Sequence, residues 1–317
     1  MSRRRYLVTG GAGFIGSHLS EHLLEHGGDV TVLDNFSSGT AANLEGLPSG
    51  LKVVEGSVTN PDDIAAAMEG VDGGVFHLAA LPSVVRSVEA PAESHEQNAT
   101  GTLHVLDAAR HRGLRVVYAG SSSAYGEVEV DAQHEQLRED PMSPYAATKL
   151  AGELYCRVFA EVYGMKIVIT RFFNVFGPRQ VPDSPYSGVV AAFCFALLNA
   201  DKGVRPRIDG EGEQTRDFTY VADIALGARL AMESGLEGCQ VVNLACGGNH
   251  SVRDLLAELI ECSGLEVEPT FGPPRTGDIK RSMADITRAR ELLGFEPQVS
   301  FADGLKRTFD WYRSTYS

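Results

Sequence analysis

Tyr145 and Lys149 stand four residues apart in the stretch SPYAATK, residues 143–149. On a helix that spacing puts both side chains on one face, a turn apart. A free tyrosine has a pKa near ~10 and is a poor base at neutral pH. A neighbouring ammonium favours the phenolate and is expected to lower the Tyr145 pKa. Such a pair can move a proton to and from an alcohol. Taken alone it is equally an ion-pairing repeat on a helix surface. Ser121, within AGSSSAYG at 119–126, closes the set. A hydroxyl beyond a strand end can hold a substrate oxygen and share its proton with Tyr145.

Proton transfer needs a redox partner, and the amino-terminal segment supplies a place for one. A short apolar run at 6–9 leads into Gly10, Gly13 and Gly16. Ile15, Leu19, Leu23 and Leu24 then recur at helical spacing. Glycines in this context permit a tight turn and close approach of backbone to a pyrophosphate, which rests on the free N–H groups of the helix N-terminus. A second apolar run at 30–33 ends in Asp34, whose carboxylate can accept from the adenosine ribose hydroxyls and repels a 2′-phosphate. No Arg or Lys lies between Asp34 and Leu51. The expectation is NAD rather than NADP, tightly held, with a nicotinamide cation adding to the pull on Tyr145.

Those elements recur. Strand-like runs fall at 6–9, 30–33, 52–54, 74–78, 114–119 and 166–171, with helical segments between them, among them 101–111 and 144–163. Alternating strands and helices predict an α/β fold, a doubly wound parallel sheet of Rossmann type. After Gly177-Pro178 the loops lengthen, though helices recur at 251–262 and 303–312. We expect an NAD-binding domain over 1–175 and a smaller mixed α/β substrate domain over 176–317, with segments near 215–247 returning to the first.

With 317 residues the chain can build a substantial core. A net charge of −14 argues against nucleic-acid and membrane-surface roles. The Arg3-Arg4-Arg5 run is too short for a signal peptide, and five cysteines without a C-x-x-C suggest reduced thiols. Cytoplasmic location and no metal are the resulting expectations.

Taken together, these stretches resemble the extended short-chain dehydrogenases/reductases, and within them the UDP-hexose 4-epimerases. The matching segments are 9–16 (TGGAGFIG), 33–35 (LDN), 77–80 (HLAA), 97–102 (QNATGT), 121–126 (SSSAYG), 143–149, 171–179 (RFFNVFGPR), 209–220 (DGEGEQTRDFTY) and 275–285 (RTGDIKRSMAD). The resemblance implies Ser121, Tyr145 and Lys149 as catalytic residues. It places cofactor contacts at Gly10, Gly13, Phe14, Ile15 and Gly16. Others follow at Asp34, Asn35, Ser38, Gly39, Ser57 and Val58, then at Leu78, Ala79, Ala80 and Asn98, besides Tyr145 and Lys149. Substrate contacts are implied at Ser121, Asn174, Val189, Arg207, Arg216, Arg275, Asp278 and Ser282. Arg216 and Arg275 suit bidentate phosphate recognition, with ion pairing to Asp217 or Asp278 as the competing role.

Two positions choose among the relatives that the resemblance brings in. Dehydratases and decarboxylases carry an acid within two residues of the catalytic hydroxyl; here Ser122 and Ser123 stand there. That favours 4-epimerisation of a UDP-hexose through a 4-keto intermediate. At Ser282 a bulky residue narrows the space beside the sugar C2 substituent, and serine leaves room for an N-acetyl group. UDP-GlcNAc/UDP-GalNAc and UDP-Glc/UDP-Gal are therefore the expected substrates. UDP-glucuronate epimerisation, dehydration or decarboxylation, and non-catalytic NAD(H) binding are the alternatives. A homodimer through two long helices, one of them 144–163, is the implied assembly. Ser57 departs from the usual Asp, and Gly73-Gly74 has no functional account in sequence.

Overall fold

The computed structural model describes residues 3–182, 188–274 and 279–316. Its first half lays down β1 (Arg5–Thr9), α1 (Phe14–Glu25), β2 (Asp29–Asp34), β3 (Leu51–Glu55), α2 (Pro61–Ala67) and β4 (Gly74–His77). Then come α3 (Val84–Glu89), α4 (Pro91–His95), α5 (Gly101–His111), β5 (Val116–Ser121), α6 (Pro144–Tyr163) and β6 (Ile167–Phe172). The second half has shorter pieces: β7 (Val175–Phe176), α7 (Val189–Leu198), β8 (Arg207–Asp209), β9 (Thr215–Arg216), β10 (Thr219–Tyr220) and α8 (Val221–Glu233). It closes with β11 (Cys239–Leu244), β12 (His250–Ser251), α9 (Val252–Ser263), β13 (Thr270–Gly272), β14 (Arg281–Ser282), α10 (Thr287–Leu293) and α11 (Phe301–Tyr316).

Seven strands form one parallel sheet in the order β11-β6-β5-β4-β1-β2-β3. This is the Rossmann-like, doubly wound arrangement. Successive side chains of each strand point to opposite faces, and both faces are buried. Val8, Val32, Phe76, Val117, Val168 and Val242 pack under α1 and α8. Leu7, Leu33, Val75, Val116, Ile167 and Ile169 pack under α2, α5 and α6. A third core joins Phe176 to α7, α9 and α11. Hence α8 and β11, from late in the chain, complete the main sheet, while α7, α9 and α11 build a separate lobe.

Local chemistry sets the helix that matters most. Ser143 caps α6 by accepting from the Ala146 N–H, Pro144 starts it, and Gly164 ends it in a left-handed conformation (φ 67°). Tyr145 is thereby fixed on the first turn. The Gly73-Gly74 pair has a packing explanation. Gly74 has φ 120°, and a Cβ there meets Met232 Sδ at 2.5 Å; one on Gly73 meets the Tyr6 ring at 2.7 Å. The pair lets β4 enter between β1 and α8. No described helix is long and apolar enough to cross a membrane.

Behind the carboxyl end of β5 lies a buried ion pair. The Arg171 guanidinium donates to Glu153 at 3.0 and 2.7 Å and to Glu139 at 2.9 Å, and both Arg171 and Glu153 are fully enclosed. It also stacks over Tyr125 at 4.5 Å. Replacing one partner strands the other's charge. Arg171→Leu should destabilise the protein by about 3–5 kcal/mol, measured by denaturant unfolding. A midpoint equal to wild type would show that the pair carries no structural weight.

Candidate active site

At the carboxyl edge of the sheet the structure opens a cavity of about 690 Å³. Its floor is the turn between β1 and α1. The fit of a dinucleotide there is written in how tightly the turn closes. A Cβ on Gly16 meets the Gly10 carbonyl oxygen at 2.1 Å, and one on Gly10 meets the Ala79 backbone at 2.8 Å. Gly13 caps α1 without any side-chain hydrogen bond, which leaves the helix N–H groups to an anion. Asp34, at the end of β2, accepts from the Ala12 N–H at 2.9 Å and the Phe36 N–H at 2.8 Å. A carboxylate has about four acceptor sites, so two remain for ribose hydroxyls.

The cavity wall collects most of the residues singled out in the sequence. Gly10, Gly13, Phe14, Ile15 and Gly16 line it with Asp34, Asn35 and Ser38. So do Ser57, Val58, Leu78, Ala79 and Ala80, and on the far side Ser121, Tyr145, Lys149 and Asn174. Ser57 shares a 2.8 Å hydrogen bond with Thr59 while its N–H goes to Asp63. Asn174 adopts φ 28°, a conformation asparagine tolerates better than most residues.

Others lie elsewhere. Gly39 packs on Ala12, 2.6 Å from a built Cβ, outside the lining. Asn98 is buried within a π-turn over Glu96–Thr100, accepting from the Leu81 N–H and donating to Thr148. Val189 opens α7 and packs into the third core. Arg207 is exposed on β8, paired with Asp209 at 2.9 Å. Arg216 and Ser282 face one another in register on β9 and β14, away from the lining. The expected open space at Ser282 is not seen: this buried serine points its hydroxyl to Gln133 at 3.4 Å. Asp217, next to Arg216, accepts three backbone N–H groups, from Cys246, Gly247 and Ala284, so it anchors loops rather than pairing with the arginine. Burial still pushes its carboxyl up to about 6. Arg275 and Asp278 fall outside the described residues.

At the chemical centre, Ser121 and Tyr145 line the cavity together, the Ser121 hydroxyl pulling the phenol's pKa down while it accepts from Ser123 Oγ at 2.8 Å. The Tyr145 N–H is held by Ser87 Oγ at 3.0 Å. The expectation that Lys149 lowers Tyr145 is corrected here. Part of the Tyr145 ring faces the cavity, yet protein crowds its hydroxyl, and that burial raises its pKa; only the Ser121 hydroxyl pulls it down. The Lys149 ammonium instead donates to the Ala119 carbonyl at 2.8 Å. Burial lowers Lys149 to about 8, against the attraction of Glu153 one turn along α6. Sequence reasoning missed Arg179, which lines the cavity at φ 66°, ion-paired to Glu21 at 2.8 Å with its Nη1 buried and unpartnered. Its only signal was a place in the 171–179 stretch. Among the described residues no cluster of His, Cys, Asp or Glu could hold a metal.

The Lys149 shift has a consequence for stability. Between about pH 8 and 10.5 the unfolded chain binds the proton that native Lys149 has lost, so this group makes stability rise with pH across that window. At about 1.4 kcal/mol per unit, wild type should gain roughly 3 kcal/mol relative to Lys149→Met from one end to the other. Denaturant unfolding of both proteins at each pH measures it; parallel curves would contradict a depressed lysine.

Comparison with known proteins agrees with this geometry. Residues 6–245 match the family described as the NAD dependent epimerase/dehydratase family. A UDP-glucose 4-epimerase of Mycolicibacterium smegmatis is 40% identical over 314 residues, 98% of this chain and 99% of that one. The structure of a UDP-N-acetylglucosamine 4-epimerase from Methanobrevibacter ruminantium, in complex with UDP-N-acetylmuramic acid, superposes with a TM-score of 0.93 at 36% identity, covering 99% of both chains. That of a Thermotoga maritima UDP-glucose 4-epimerase with UDP-glucose gives 0.92 at 39%, covering 99% of this chain and 100% of that one.

Proposed function

Since the chain belongs to the NAD dependent epimerase/dehydratase family, we propose that it is an NAD-dependent 4-epimerase of UDP-hexoses that accepts N-acetylated sugars as well as plain ones. The observation that carries this reading is that Ser121, Tyr145 and Lys149 line the same cavity as the glycine turn. NAD, when bound, supplies the hydride acceptor and donor at sugar C4. The turn of Gly10, Gly13 and Gly16 holds its pyrophosphate, and Asp34 its adenosine ribose.

The chain's own groups handle the proton. Tyr145 takes it from the sugar 4-hydroxyl, with Ser121 holding the same oxygen, and returns it after the 4-keto sugar has presented its other face. Lys149 has one donor on Ala119 and two more for the nicotinamide ribose and the phenol. Because burial raises Tyr145, its base form depends on positive charge gathered in the loaded site. A second acid for dehydration or decarboxylation is missing beside Ser121. Positions 122 and 123 are serines, and Glu153, behind Gly120, is sealed by Arg171. Tyr145→Phe should lose at least about a hundredfold in turnover yet retain NAD. Near-normal epimerisation by that variant would remove the assignment.

Substrate breadth is proposed from the relatives, among them a UDP-glucose 4-epimerase and a UDP-N-acetylglucosamine 4-epimerase, since Ser282 is buried against Gln133 outside the cavity lining. A panel of UDP-sugars decides it; turnover of plain sugars alone would sink the proposed breadth.

A homodimer is proposed through α6. Leu154, Val158 and Val162 lie at i, i+4 and i+8 on its outer face and are 51, 52 and 63% exposed. Such an apolar stripe favours coverage by a second copy. Light scattering should return twice the chain mass, and Val158→Glu the single mass. A monomeric wild type would end the proposal.

A further inference from the structure

We infer that His77 is a positioning residue: held in its Nε2–H form, it carries a one-directional run of hydrogen bonds from the cofactor turn toward the backbone of Tyr145. The kinetic part of this inference rests on the proposed epimerase activity.

His77 ends β4, 1% exposed and outside the cavity lining. Its Nδ1 lies 2.7 Å from Thr9 Oγ1 and its Nε2 2.9 Å from Thr102 Oγ1. Thr102 has one hydroxyl proton and gives it to the Asn98 carbonyl at 2.5 Å. Toward His77 it can only accept, so Nε2 bears the hydrogen. Tyr118, whose hydroxyl is also near Thr102, spends its proton on the Lys149 carbonyl at 3.1 Å. With Nε2 protonated, Nδ1 must accept, and the Thr9 hydroxyl donates to it. Thr9 Oγ1 in turn accepts from the Ala79 N–H at 3.2 Å. Each donor along the line meets one acceptor.

Both ends of the line reach the reaction cavity. Thr9 immediately precedes Gly10, and Ala79 is the backbone against which Gly10 closes. At the other end Asn98 holds the Leu81 N–H at 2.7 Å and donates to Thr148 Oγ1 at 3.0 Å. The Thr148 hydroxyl donates to the Tyr145 carbonyl at 2.8 Å. The cofactor turn, the wall at 79–81 and the first turn of α6 are therefore one hydrogen-bonded unit. It passes through the π-turn that carries Asn98, a form of helix common at functional sites. A core histidine that merely satisfied itself would have no need to join these three elements. The ring stays neutral because burial lowers it to about 3, with the Lys149 ammonium acting in the same sense. Tyr118, 5.8 Å away on β5, adds no charge to the ring's surroundings, burial holding its own pKa well above the usual value.

Two measurements on the full-length, NAD-loaded protein test the inference. With nitrogen-15 histidine, His77 should show the Nε2–H tautomer and no titration between about pH 5 and pH 9. An Nδ1–H tautomer, or a midpoint inside that window, overturns it. This readout holds whether or not the protein epimerises any sugar, so its failure is separable from failure of the proposed activity. In kinetics, Thr102→Val, close in shape but without a hydroxyl, should lower kcat about tenfold or more. NAD content and UDP-sugar KM should stay near wild type, and Thr102→Ser should restore kcat to within about twofold. A wild-type kcat, or loss of NAD in step with kcat, overturns the positioning role. If Thr102→Val does not fold, His77→Gln takes its place, under the same two conditions on kcat and NAD content.

Discussion

The site depends on how α6 is clamped to the carboxyl end of β5. The clamp is reciprocal: the Lys149 ammonium donates to the Ala119 carbonyl, and the Tyr118 hydroxyl donates to the Lys149 carbonyl. Gly152 makes the contact close enough, since a Cβ there would strike the Tyr118 hydroxyl. One turn further along, Glu153 is locked to Arg171 of β6. Helix and strands thus share buried polar bonds, and buried polar bonds admit few alternative geometries. The phenol of Tyr145 inherits its position from that fixed register.

Electrostatics within this frame run against a simple proximity rule. Lysine and tyrosine sit a helical turn apart, yet the ammonium spends itself on a carbonyl and burial dominates both groups. Both are pushed toward their neutral forms, tyrosine upward and lysine downward. Preorganisation of this kind leaves the balance between phenol and phenolate to charge that enters with the ligands. Placing the titrating pair at the edge of the cavity makes it responsive to its occupants.

The parallel sheet explains why separated segments of chain converge. Strand carboxyl ends line one crevice, so the turn after β1, the Asp34 end of β2, the wall after β4 and Ser121 after β5 meet at one edge. Completion of the sheet by β11 and of one face by α8 brings the late chain back beneath the site. The loop anchored by the buried Asp217 then carries Arg216 alongside Ser282.

Local pattern determined a good deal. Six strands of the main sheet were legible to within two residues, because apolar runs bounded by turns are short-range signals. Helix α6 was legible because Ser143, Pro144 and Gly164 punctuate it. The glycine turn and Asp34 were legible as chemistry because backbone approach and a strand-end carboxylate leave a mark in residue type. Tertiary structure decided what residue type cannot encode. It turned Lys149 toward Ala119, closed Ser282 against Gln133, set Arg179 into the cavity wall and fixed which nitrogen of His77 bears the hydrogen. Each of these depends on partners far away in the chain and on the removal of water around them. Burial and long-range pairing exist only once the sheet and its helices have assembled.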